Sequence, residues 1–247
     1  MSKLIIIPDV HGRSFWKKAV EENPQEAFIF LGDYLDPYVQ DGVTVEDAFA
    51  GLKMIVSLKE RYPERVTLLW GNHDLHYLYP ELEGSRLDRM NAARNKDYFT
   101  EHQKDFQIAA EWIVGGNRYL FTHAGVGTLW IESFLPSLSE DEITATFLND
   151  CMQSPSFIHA LSNISYYRGG SDMYGSCIWA DLQEQGELYN QLHSSIQVFG
   201  HTMVFEAFNY DNRVYGLDCQ VCFYLDLEKG GIYALESKKL IQPYSTR

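Results

Sequence analysis

The sequence predicts an α/β protein with two β-sheets. Three observations carry this reading. Short apolar runs alternate with helical segments from Lys3 to Trp70, a polar turn follows each run, and further strand-like runs cluster near the end of the chain. Strand, helix, strand, helix, strand is the pattern of a parallel sheet covered by helices, whose functional loops lie beyond the carboxyl ends of the strands.

Taken in order, Lys3 to Pro8 is a short β-rich run, and Ser14 to Glu22 places Phe15 and Ala19 at helical spacing before Asn23-Pro24 ends it. Ala27 to Leu31 is a second strand run. Thr44 to Tyr62 is the clearest helix, with Val45, Ala48, Phe49, Leu52, Ile55 and Val56 on one face, Thr44-x-x-Asp47 as a capping-box-like start and Pro63 as its stop. Val66 to Trp70 is the third strand. The polar stretch from Ser85 to Phe106 reads as an insertion of helices, and Gly115-Gly116-Asn117 joins Trp112–Val114 to Arg118–Thr122 as a hairpin. Ser139, three residues before Glu142, opens a helical block expected to run to about Cys151. Ser194 to Phe199 is another strand. Arg213–Leu217, Cys222–Leu227 and Ile232–Glu236 read as antiparallel strands turning at Lys229-Gly230-Gly231. No repeat or linker interrupts the chain, so one domain is expected over residues 1–247, with helical insertions at about 80–110 and 126–165.

Composition narrows the function classes. Among 247 residues, 34 Asp and Glu stand against 20 Lys and Arg, a net charge of −14 that argues against a nonspecific grip on nucleic acid or anionic membrane. An apolar content of 45% excludes a disordered chain. No apolar run approaches a membrane span, and the apolar stretch after Lys3 is too short for a signal peptide, so the expected location is cytoplasmic. Four cysteines do not make a disulfide framework, and Cys219-x-x-Cys222 reads as core thiols within a strand-like stretch.

The chemistry lies in the turns. Asp9-Val10-His11-Gly12 follows the first strand, Gly32-Asp33-Tyr34-Leu35-Asp36 the second and Gly71-Asn72-His73-Asp74 the third, while His123 follows the hairpin and Gly200-His201 a later strand. Singly, each motif is as readily a capped turn. Jointly they deliver carboxylates and imidazoles to one edge, where burial without cations is costly, and mixed oxygen and nitrogen donors suit Mn, Fe, Zn, Co or Ni rather than calcium.

D-x-H, G-D-x-x-D, G-N-H-D, a later His and G-H, in this order, resemble the signature of the calcineurin-like metallophosphoesterases, closest to the phosphoprotein phosphatase and dinucleoside tetraphosphate hydrolase branch. The resemblance covers Lys3 to about Glu236. It implies a four-layered α/β/β/α sandwich of two mixed sheets flanked by helices. It also implies two divalent transition-metal ions, with Mn the first choice in vitro. Asp9 and His11 would hold the first ion, Asp33 would bridge, and Asn72, His123 and His201 would hold the second. A bridging carboxylate keeps two dications about 3.5–4 Å apart, which suits attack on phosphorus by a bridging hydroxide. His73 resembles the general acid, with Asp36 fixing its tautomer and raising its pKa, and Asp74 braces the loop.

The chain departs from that branch in places. The branch has Arg-Gly after its G-D-x-V-D, where this sequence has Pro37-Tyr38, and its second phosphate-binding arginine is absent between Leu182 and Val198. Arg168, beside Gly169-Gly170 and Tyr166-Tyr167, and Arg13 are the substitutes considered. Met203 stands where the nuclease branch has the second His of G-H-x-H, and Arg86, Arg89, Arg94 and Lys96 read as a solvated helix face. The expected function is metal-dependent hydrolysis of a phosphorylated small molecule, nucleotide or phosphoprotein. The alternatives are a phosphodiesterase or nuclease acting on cyclic nucleotides or RNA ends, and a non-catalytic scaffold.

Overall fold

Strand β1 (Lys3–Ile7) has apolar residues on both faces because both are covered. Leu4 and Ile6 pack with Ile29, Phe121, Val198 and Leu225, whereas Ile5 and Ile7 pack with Trp16, Phe30, Leu52 and Ile55. The first group is the seam between two sheets, and the second is the interface with the helices. The structure, a computed structural model, describes residues 1–187 and 190–243.

After β1 come α1 (Phe15–Glu22), β2 (Ala27–Phe30), α2 (Val45–Arg61) and β3 (Val66–Leu69). Thr44 caps α2, its side chain accepting from the Asp47 amide, and α2 buries Ala48, Leu52, Ile55 and Val56. The strands are parallel, in the register Ile5↔Phe28 and Phe28↔Val66, with α1 and α2 as the crossovers that parallel strands require. Next come α3 (Asn72–Leu78), α4 (Ala92–Glu101), β4 (Phe106–Gln107), β5 (Ala110–Val114) and β6 (Asn117–Phe121). Gly115 and Gly116, at φ of 58° and 80°, form the β5–β6 turn, where both central residues need positive φ.

Helices α5 (Thr128–Phe134), α6 (Ala145–Cys151), α7 (Pro155–Ala160) and α8 (Leu182–Gln185) precede β7 (Ile196–Phe199), β8 (Phe208–Tyr210), β9 (Val214–Gly216), β10 (Phe223–Asp226) and β11 (Ile232–Ala234). The sheet orders are β11-β10-β1-β2-β3-β4 and β5-β6-β7-β9-β8. Both are mixed, and helices flank the pair, giving the expected α/β/β/α sandwich.

Two expectations need correction. The block from Ser139 to Cys151 is not one helix. The Ser139 cap serves a short turn over Glu140–Glu142, Ile143 leaves helical geometry at ψ 85°, and Thr144 caps α6 anew. The C-terminal strands also do not form one antiparallel set. β9 runs parallel to β7 in the second sheet, while β10 and β11 form an antiparallel hairpin on β1 in the first. All four cysteines are free, and Cys222 lies in the core.

Candidate active site

The carboxyl ends of β1, β2 and β3 meet those of β6, β7 and β9 at one edge of the sandwich. Asp9 and His11 follow β1, Asp33 and Asp36 follow β2, Asn72 and His73 open α3 after β3, and His123, His201 and Asp218 follow β6, β7 and β9; all are buried. The turns are tight. His11, Asp33, Asp36 and His201 adopt left-handed φ of 43°, 54°, 54° and 61°, a conformation that non-glycine residues keep only where their surroundings hold them. Space is equally constrained: a Cβ on Gly71 would lie 2.1 Å from Asp33 Oδ1, and one on Gly200 would lie 2.1 Å from Asp9 Oδ1.

Two clusters of ligand atoms share Asp33. Asp9, His11 and Asp33 form one, and Asp33, His123 and His201 form the other. His11 Nδ1 is 2.8 Å from Leu35 O and His123 Nδ1 is 2.7 Å from Leu31 O, which turns each Nε2 toward Asp33 Oδ2 at 3.3 and 3.5 Å. Hydrogen-bonding one ring nitrogen to a carbonyl is how a protein presents the other as a metal ligand. His123 Nε2 also lies 2.9 Å from Asn72 Oδ1 and 3.1 Å from His201 Nδ1, so donors from four residues face one point. Burial would lower the His123 pKa, but the charges of Asp33 and Asp9 lift it to about 10. Burial likewise works against ionised Asp33, yet His123, His73 and His11 hold it well below the usual carboxylate range. The pocket therefore favours positive charge, and its mixed donors fit a divalent transition metal.

Asp74 braces these turns, accepting from the amides of Asp33 at 2.8 Å, Gly71 at 2.9 Å and Tyr34 at 3.0 Å. Asp36 is a hub. It contacts His73 Nδ1 at 2.9 Å and His76 Nε2 at 2.8 Å, and it accepts from the Tyr77 hydroxyl. His73, His76 and Tyr77 stand at i, i+3 and i+4, one face of α3. That spacing is present in the sequence, but it marks His76 and Tyr77 only once the third turn is known to open a helix, which the sequence reading does not place there. Burial works against the Asp36 charge, yet these partners hold the carboxyl at about 2. His73 departs from expectation: burial outweighs Asp33 and Asp36 and lowers it to about 4. Asp218 has no role in the sequence motifs. It is buried near Asp9, and burial first, then Asp9, raises it to about 8.

The arginines fall in three places. Arg13 donates from Nε to Asp41 at 2.7 Å and is 9% exposed, with its guanidinium carbon 5.2 Å from the Tyr38 ring centroid and its charge acting on Asp218. Arg168 Nη1 lies 3.6 Å from Asp181 Oδ2 on the His201 side, where the Trp179 ring meets the His201 ring edge-on at 5.5 Å. Arg86 is not part of a helix face. It lies in the loop between α3 and α4, with Nη2 2.9 Å from His73 Nε2 and Nη1 2.5 Å from Asp36 O. No local pattern in the sequence marks it, because only the fold of that loop brings it to His73.

The profile of the calcineurin-like phosphoesterases matches residues 2–205. The chain belongs to this family. Its two Asp33 clusters are groups able to hold a metal ion. Among its relatives, the phosphoesterase is 34% identical over 77 residues to a protein phosphatase 2A catalytic subunit of Dictyostelium discoideum, a match spanning 30% of this chain and 22% of that protein. The fold of the phosphoesterase is also that of a cold-active protein-tyrosine phosphatase of a psychrophilic Shewanella, with TM-score 0.62, 13% identity, and 98% and 81% of the two chains covered. A protein serine/threonine phosphatase of Saccharomyces cerevisiae shares it with TM-score 0.52 and 14% identity, over 91% and 72% of the two chains.

Proposed function

We propose that this phosphoesterase hydrolyses phosphate esters or anhydrides at a dinuclear centre, on a phosphorylated small molecule, nucleotide or phosphoprotein. The observation that carries the reading is the membership of Asp33 in both ligand clusters. Asp9, His11 and Asp33 would hold one ion, and Asp33, Asn72, His123 and His201 the other. Mn, Fe, Zn, Co or Ni suits this donor set. When bound, such a pair supplies Lewis-acid charge for the phosphoryl oxygens and acidifies water.

The chain's own residues do the rest. Asp36, ionised and bonded to His73 Nδ1, fixes the tautomer that leaves Nε2 for the leaving oxygen, and its charge would stabilise the imidazolium that donates a proton there once Nε2 is protonated. Arg168, 27% exposed beside Asp181, stands at the rim for a substrate anion, with the exposed rings of Tyr166 and Tyr167 next to it. Free cysteines support the cytoplasmic placement. No helix among the described residues is long and apolar enough to cross a membrane.

A substrate panel tests the reading. Manganese-loaded protein is assayed on p-nitrophenyl phosphate and its bis ester, phosphopeptides, dinucleoside polyphosphates and cyclic nucleotides, with metal content measured alongside. The expected result is about two ions per chain and hydrolysis of at least one phosphate ester or anhydride that chelation abolishes. Hydrolysis that survives exhaustive chelation overturns it.

A further inference from the structure

We propose that Arg86, carried on the ring of Tyr38, binds the non-reacting phosphate oxygens of the substrate; this rests on the hydrolytic function proposed above. Pro37 and Tyr38 follow the Asp36 turn and bring no cation of their own to it. Instead Tyr38 supplies a platform. Its ring meets His11 edge-on at 5.0 Å, and the Arg86 guanidinium carbon lies 3.7 Å from the ring centroid. An arginine stacked on an aromatic face keeps its planar fork of donors free while losing little freedom when it binds.

The fork is also aimed. Nη2 lies 2.9 Å from His73 Nε2, and Nη1 donates to the Asp36 carbonyl at 2.5 Å, so the guanidinium stands over the ring placed at the leaving oxygen. Of the five N–H donors of a guanidinium, these contacts use two and leave three. The loop that carries it is anchored after Arg86 by the Asp88 amide, which donates to the Tyr77 hydroxyl at 3.2 Å, and before it at two points. Leu82 is buried, and Gly84 lies so close to Trp179 that a Cβ there would be 2.6 Å from its ring. Arg86 itself is solvent-exposed and so open to a ligand. An exposed guanidinium fixed over buried catalytic groups, on a chain with a net charge of −14, is placed to attract a phosphate and orient it bidentately.

The test uses the manganese-loaded full-length protein, with p-nitrophenyl phosphate as substrate and inorganic phosphate as competing anion. Arg86→Ala should raise both KM and the phosphate inhibition constant about 10- to 100-fold, the size of a lost charged hydrogen-bond pair, while metal content is unchanged. Arg86→Lys should recover only part of the loss, because a point charge cannot replace the fork. Tyr38→Ala should weaken phosphate inhibition in the same direction, and Tyr38→Phe should not. If Arg86→Ala lowers kcat but leaves the inhibition constant within about twofold, Arg86 merely supports His73 and the proposal is overturned. A wild-type protein that hydrolyses nothing on the panel overturns the hydrolytic reading itself, whereas an active wild type with an unaffected Arg86→Ala overturns the Arg86 assignment alone.

Discussion

Asp33 shows how much one side chain is asked to do at the residue scale. Its carboxylate faces His11 and His123 through Oδ2 and accepts the His73 amide at 2.9 Å through Oδ1, from a backbone at left-handed φ. Asn at this position keeps the shape and the turn, since Asn tolerates that φ, but it removes the charge common to both clusters. Asp33→Asn is therefore expected to lower bound metal and to cut kcat by at least about 100-fold, more than the loss typical of a ligand's supporting partner. Metal analysis beside the kinetics checks it; full metal content with normal turnover would refute it. His73 gives a contrasting case. It lies outside both Asp33 clusters, so His73→Asn should leave metal content intact and slow poor leaving groups by roughly 100-fold or more, with a smaller loss on p-nitrophenyl phosphate, whose leaving group needs little protonation. Equal losses on both kinds of substrate would rule out the acid role.

At the scale of elements, α2 is the simplest to test because its cap and its apolar face are separate. Thr44 accepts the Asp47 amide at 3.0 Å on the exposed side of the helix start, whereas the site residues are buried. Thr44→Ala should cost about 1 kcal/mol and lower Tm by roughly 2–4 °C, with kcat unchanged in thermal melts and assays run side by side. The same helix shows why some elements are legible in the sequence. Six apolar residues in helical register and a flanking Thr and Pro are local signals, and β1, β2 and the Gly115-Gly116 turn are written just as locally. β4 and β8, of two and three residues, are too short to show a period, and they exist because β3 and β9 offer open edges. The Ser139 capping box is genuine, but one cap says nothing about where a helix ends. The site divides in the same way. Asp9, His11, Asp33, Asn72, His123 and His201 sit directly at strand ends, where their joint recurrence is legible in the sequence. Arg86 and Asp218 depend on tertiary placement. The lowering of His73 depends on the depth of its burial, which the sequence does not express.

For the whole molecule, the ligand clusters act as a clasp between two sheets. Asp9, His11, Asp33 and Asn72 come from the first sheet, His123 and His201 from the second, and the seam between them is otherwise apolar. Ions that bind only this assembled edge stabilise the fold by mass action, about 2.7 kcal/mol at a hundredfold excess over Kd. Chelation is therefore expected to lower Tm by roughly 5–10 °C for a chain of this length. The effect should depend on pH. In the ion-free protein His123 is raised to about 10, so its proton adds stability that is fully present below the ordinary imidazole range and is lost as pH rises through that value. A metal must displace that proton, so the loaded form does not share this loss, and the difference between the two forms grows by up to about 1.4 kcal/mol per unit for one proton released. The Tm gap between loaded and chelated protein therefore widens from pH 6 to pH 9, which paired melts at fixed metal concentration would measure. A gap that stayed flat across this range would mean that His123 keeps its proton when metal binds, and a gap absent at every pH would mean that no ion joins the two sheets.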